Sequence, residues 1–134
     1  VGDKVIIIGG GLSGCEIAYD LFKKGKTPII VEMKNDLIAV KGVCLANSSF
    51  LRDFFELNKV EVHLETALVK VTDTGVVVRG KDGKEFEIAG DTVITSMGYH
   101  PKPALDGAKL IGDCKKVGNL RTVVWGAWKV AMKI

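Results

Sequence analysis

The stretch Gly9-Gly10-Gly11-Leu12-Ser13-Gly14 has residue types and spacing suited to holding a diphosphate. Gly9, Gly11 and Gly14 form a G-x-G-x-x-G pattern directly after the apolar run Val5-Ile6-Ile7-Ile8. In such a pattern the first glycine permits a tight turn and the second lets backbone approach a pyrophosphate. The third lets the following helix pack closely on its strand. Leu12, Ser13 and Gly14 would open that helix, where unpaired N–H groups and the positive dipole end face an anion. Glu32 follows the second apolar run, Pro28-Ile-Ile-Val31, at roughly the 20-residue separation expected of an acid that accepts bonds from an adenosine ribose. A carboxylate there repels a 2′-phosphate, which favours NAD(H) over NADP(H), and Lys34 softens that preference.

Elements must place these groups. The periodicity predicts a first strand over 4–8 and a helix over about 12–24, with Leu12, Cys15, Ala18, Leu21 and Phe22 on one face and Gly25 as its stop. A second strand runs over 28–32, with Pro28 tolerable only at its start. Residues 34–46 read as loop. Ser48 or Ser49 is expected to cap a helix reaching Leu57 that buries Leu51, Phe54 and Phe55, and a third strand spans 60–64. The runs 66–72, 76–80 and 84–88 are separated by Asp73-Thr74-Gly75 and Asp82-Gly83, the signature of an antiparallel meander. A further buried strand covers 91–96. Residues 99–107 read as a connector, 108–111 as a short strand, and 120–134 as a helix whose Val124, Ala127, Trp128, Ala131 and Ile134 share a face. The expected fold is therefore α/β, a doubly wound parallel sheet in which a three-stranded antiparallel meander replaces one crossover helix. Ligand belongs at the carboxyl ends of the strands at 4–8 and 91–96.

Composition narrows the function classes. The chain is 47% apolar, with 19 basic and 16 acidic residues and a net charge of +3. No run approaches the ~20 apolar residues of a membrane span, and no basic stripe interleaved with aromatics suggests nucleic acid. Cys15, Cys44 and Cys114 are too scattered for a disulfide framework, a zinc site or a dithiol centre, which suits a reducing cytoplasm. Cys15 reads as a small core residue. His63 and His100 have no visible partner and are assigned no catalytic or metal-binding role. Lys23, Lys24 and Lys26 read as a solvated helix end. The absence of an initiator Met at Val1 suggests a piece of a longer protein.

Three ordered motifs then resemble a known group. Gly9 to Ala18, GGGLSGCEIA, is similar to the GGGxxGxExA signature of the nicotinamide-binding domain in two-dinucleotide flavoprotein reductases. Gly98-Tyr99-His100-Pro101 resembles the G-x-x-P segment leading back to the flavin domain. Ile111-Gly112-Asp113-Cys114 resembles the IGDC segment of that domain's C-terminal half. Trp125, Trp128 and Ala131 look most like the end of NADH:flavin oxidoreductases of the 2,4-dienoyl-CoA reductase and 2-enoate reductase group.

The resemblance implies a Rossmann-like FAD/NAD(P)-binding fold, with residues 1–98 as an NAD(H)-binding domain and 99–134 as a connector, strand and helix from the end of the FAD domain. It places Glu16 near the nicotinamide, lets Gly98 admit cofactor, and puts Asp113 on a flavin ribityl hydroxyl; within this chain Asp113 is expected to be idle or a cap. FAD is expected only in the intact parent, because the preceding flavin fingerprint, barrel and iron–sulfur cysteines are absent. The expected partner is the FAD-binding half of the parent, with self-association of the piece as a consequence of its exposed apolar surface. The leading function is to position NADH for hydride transfer to FAD, and the isolated piece is not expected to turn over. The alternative is an NAD(H)-binding sensor or interaction module. A methyltransferase-like reading is disfavoured by the meander and by the G-x-x-P and Gly-Asp pair.

Overall fold

A computed structural model describes every residue except 40, 41, 104 and 134. The chain divides into two compact units, residues 1–97 and 98–134. The first unit holds strands β1 (Lys4–Ile8), β2 (Thr27–Val31), β3 (Glu61–His63), β4 (Ala67–Thr72), β5 (Gly75–Arg79), β6 (Glu85–Ala89) and β7 (Thr92–Thr95). Its helices are α1 (Leu12–Lys23) and α2 (Leu45–Leu57).

Four strands form a parallel sheet in the order β3-β2-β1-β7, with Ile7 opposite both Ile30 of β2 and Ile94 of β7. The other three form the antiparallel sheet β4-β5-β6. Alternation along β1 explains the three layers. Val5 and Ile7 pack with Cys15, Ala18, Leu51 and Phe55 on the helical face. Ile6 and Ile8 pack with Val76, Val78 and Ile88 of the meander on the other. A strand buried on both faces must be apolar throughout, which is why the run 5–8 shows no polar alternation. Tyr19 and Phe22 of α1 meet Phe54 of α2 edge to face, with ring centroids 4.7 and 5.3 Å apart.

Several expectations are corrected. Helix α2 begins at Leu45 after Cys44, not at a serine cap. Ser48 is a buried residue inside it, its hydroxyl donating back to the Leu45 carbonyl. Phe54 is only half-buried. Strand β7 is half-buried as well, because among the described residues only β1 pairs with it.

In the second unit the expected strand at 108–111 does not form: among the described residues nothing pairs with it, and an unpaired strand has no ladder. A short 3₁₀ turn at Gly112–Cys114 follows, then helix α3 (Leu120–Ala131). Asn119 and Thr122 form a reciprocal capping box at its start. The expected face is also corrected. Val124 and Trp128 are more than half exposed, while Val123, Gly126, Ala127 and Val130 are the half-buried positions. Val123 turns inward against Gly112, and that contact sets the rotation of the helix. Ile134 lies outside the described residues.

Candidate functional site

The glycine corner joins β1 to α1. Gly9 has φ +112, and a Cβ there would overlap the Ser96 carbonyl, so this turn admits only glycine. A Cβ on Gly14 would strike the Gly9 carbonyl oxygen, which brings the first turn of α1 tight against the end of β1. Gly11 differs from both. It is the N-cap of α1 at φ −70 and ψ −179, and a Cβ on it would meet nothing within 4 Å. The backbone there borders open space. No side chain caps α1 and its first turn carries no acid, so the N–H groups of Leu12, Ser13 and Gly14 have no intrahelical acceptor. A cradle with a positive dipole end, no acid in the helix's first turn and room for a group of phosphate size fits a dinucleotide diphosphate.

Glu32 lies beside this corner and is only 7% exposed. Its Oε2 accepts the Gly10 N–H at 2.6 Å and its Oε1 accepts the Lys34 N–H at 2.8 Å. The acid expected to await a sugar therefore also holds the loop. Each carboxylate oxygen retains a further acceptor site, so the two tasks are compatible. The Gly10 carbonyl is held in turn by the Ile38 N–H at 2.7 Å and by the Cys15 thiol at 3.4 Å. Burial, with the Glu32 charge as a lesser cause, pushes the Cys15 thiol up to about 12. Cys15 is fully buried and is a core residue rather than a nucleophile. Glu16 is exposed on α1, and Lys34 directs its ammonium to the Ala39 carbonyl at 3.3 Å.

Gly10, Ile38 and Arg52 were not found by sequence reasoning. Gly10 had a signal, being the one glycine of the run that the G-x-G-x-x-G pattern leaves unexplained. A Cβ there would press on the Leu37 and Glu32 side chains. Arg52 had none. A groove of about 440 Å³ between α2 and the outer edge of β3 is lined by Arg52, Phe55, Lys59, Val62 and Leu64, and includes no residue of the glycine corner.

Gly98 and Asp113 fall in the second unit. Gly98 has φ +88 with open space at its Cβ position. The Asp113 carboxylate accepts the Gly118 N–H at 3.1 Å, in the turn before α3, whose own cap is Asn119. Among the described residues no cluster of His, Cys, Asp or Glu could hold a metal, and no helix is long and apolar enough to cross a membrane.

The family model described as pyridine nucleotide-disulphide oxidoreductase matches residues 1–124. The chain belongs to that family. It is 41% identical over its whole length to a cinnamate reductase of Clostridium sporogenes, and 30% identical over 98% of its length to an NADH oxidase of Thermoanaerobacter brockii. It spans about a fifth of each of those proteins, 21% in both cases. Among solved structures, 2-naphthoyl-CoA reductase in complex with 2-naphthoyl-CoA superposes with TM-score 0.79 at 24% identity. It covers all of this chain and 21% of its own. Histamine dehydrogenase of Rhizobium sp. 4-9 gives 0.82 at 15% identity, covering 99% of this chain and 22% of its own. These two likenesses establish the fold, the FAD/NAD(P)-binding Rossmann type. Membership in the pyridine nucleotide-disulphide oxidoreductase family makes this a redox domain from a class that works with flavin and nicotinamide cofactors.

Proposed function

We propose that this chain is the NADH-binding portion of a larger flavin-dependent oxidoreductase, where it positions the nicotinamide for hydride transfer to FAD. The observation that carries the reading is the open, uncapped corner at Gly11, with Glu32 fixed beside it. Backbone N–H groups of Gly11, Leu12, Ser13 and Gly14 would hold the diphosphate, and the free acceptor sites of Glu32 would take ribose hydroxyls. In this reading Glu16 would lie toward the nicotinamide end of the first unit's site; separately, Gly98 of the second unit would let cofactor approach its backbone in the intact parent. Bound nicotinamide supplies the hydride, while the protein supplies orientation and electrostatics. Asp113 serves the flavin only in the intact parent. The exposed Trp125 and Trp128 face of α3 is where the flavin-bearing remainder of the parent packs.

Titration of the chain with NADH and NADPH, followed by calorimetry, tests this. Saturable binding with NADH preferred is expected, and the purified chain is expected to be colourless. No saturation up to several millimolar NADH, or copurified stoichiometric FAD, would refute it.

A further inference from the structure

We propose that Arg52, a residue of α2 that lies outside the glycine corner, is a positioning residue for dinucleotide binding. The inference rests on the reading of that corner given above. Arg52 Nη2 and Nε donate to the Leu37 carbonyl at 2.6 and 3.1 Å, and the guanidinium also pairs with Asp36 at 3.0 Å. The Leu37 carbonyl shares a rigid planar peptide with the Ile38 N–H, and the two point in opposite directions. That N–H donates to the Gly10 carbonyl at 2.7 Å. The Gly10 carbonyl in turn shares its peptide with the Gly11 N–H, which points the other way, and Gly11 borders open space. Two peptide planes therefore transmit the position of one guanidinium to the amide that meets the diphosphate.

Ile38 supports the same conclusion. It sits at φ +52, a region a β-branched residue rarely adopts. Such a conformation persists only where neighbours over-determine it, and here Arg52 and Gly10 hold the peptide from both sides. Each hydrogen bond also polarises the next, which strengthens Gly11 as a donor.

The test uses the full chain with two readouts, NADH titration and residue-resolved amide exchange. Arg52→Met keeps the aliphatic stem and removes the donors. It is expected to weaken NADH binding about tenfold, the net worth of one hydrogen bond to a fixed group. Exchange at the Ile38 and Gly10 amides should speed up while Val78 in β5 stays protected. Arg52→Lys, able to donate one bond to Leu37, is expected to restore part of the affinity. Asp36→Asn, which leaves the Leu37 bonds intact, is expected to bind within about twofold of the parent sequence, as exposed ion pairs contribute little.

Equal NADH affinity in Arg52→Met with unchanged Ile38 exchange overturns the inference. So does a uniform rise in exchange that includes Val78, which marks a general loss of stability. An Asp36→Asn defect as large as that of Arg52→Met overturns it as well. If the unsubstituted chain fails to bind NADH, the proposed function falls, and local loosening at Ile38 and Gly10 alone decides whether Arg52 sets the loop.

Discussion

Replacing Glu32 with alanine separates its two tasks. The substitution removes both acceptors that hold the loop backbone, but their losses differ. Gly10 is buried, so its N–H has no water to turn to, whereas Lys34 is exposed and its amide rehydrates. An unsatisfied buried donor costs about 1–3 kcal/mol, and the Lys34 bond should add little to that. Urea unfolding should then show the midpoint falling with unchanged slope, by an amount equivalent to about 1–3 kcal/mol. Glu32→Gln retains one carbonyl oxygen for Gly10 and should recover most of the stability. It removes the negative charge that would repel a 2′-phosphate, so the proposed preference for NADH over NADPH is expected to shrink by about tenfold, or 1.4 kcal/mol. The reasoning fails if Glu32→Ala unfolds at the same urea concentration as the parent sequence, because the Gly10 bond would then carry no weight. It also fails if Glu32→Gln keeps the full cofactor preference.

Further outcomes follow from the packing of the first unit and from thiol exposure. Gly11→Ala should leave stability within about 0.5 kcal/mol, since its Cβ meets nothing, yet weaken NADH binding by filling the cradle; Gly14→Ala should instead cost about 1–3 kcal/mol through overlap with the Gly9 carbonyl, read by thermal unfolding. Iodoacetamide at pH 8 should label the exposed Cys44 and Cys114 quickly and Cys15 only on unfolding. The Cys15 thiol has a folded pKa of about 12 against an ordinary 9.0, so the stability it contributes is complete below pH 9 and drains away as pH rises from 9 toward 12; Cys15→Ala should flatten that alkaline limb. Phe55→Ala, at a residue 2% exposed, should cost about 3–5 kcal/mol by calorimetry while leaving the glycine corner's own geometry to its local bonds.

Legibility from sequence followed how local each signal was. The corner at 9–14 and the meander turns at 73–75 and 82–83 were readable because glycine placement there is dictated by backbone conformation over a few residues. The run Val5–Ile8 announced a two-sided buried strand for a similar reason. The segment 108–111 forms no strand despite its apolar character, because strand formation needs a partner that no local pattern specifies. The face of α3 was misread for a related cause: Val124 and Trp128 have helical spacing, but Val123 meets Gly112 and fixes the helix rotation. Arg52 was illegible because it acts through a carbonyl 15 residues away, in a turn that has no periodic pattern.

The contacts around Glu32 bear on what kind of cofactor site this can be. A loop held only by ligand would be soft without it, and binding would carry the full entropic cost of ordering glycines, the residues with most backbone freedom to lose. Here the Gly10 amide is tied to Glu32 and the Gly10 carbonyl to Ile38 before any ligand arrives. The two peptides flanking Gly10 are thereby oriented, and only the Gly11 side is left facing open space. Such preorganisation would let a corner rich in glycine bind a diphosphate through main-chain groups alone, while one carboxylate tensions the loop and, in the proposed reading, takes the sugar. It also predicts that a loop-loosening substitution remote from the ligand, such as Arg52→Met, should act mainly on the dissociation rate. The oriented amides would grip bound dinucleotide, whereas the open approach to Gly11 would be unchanged.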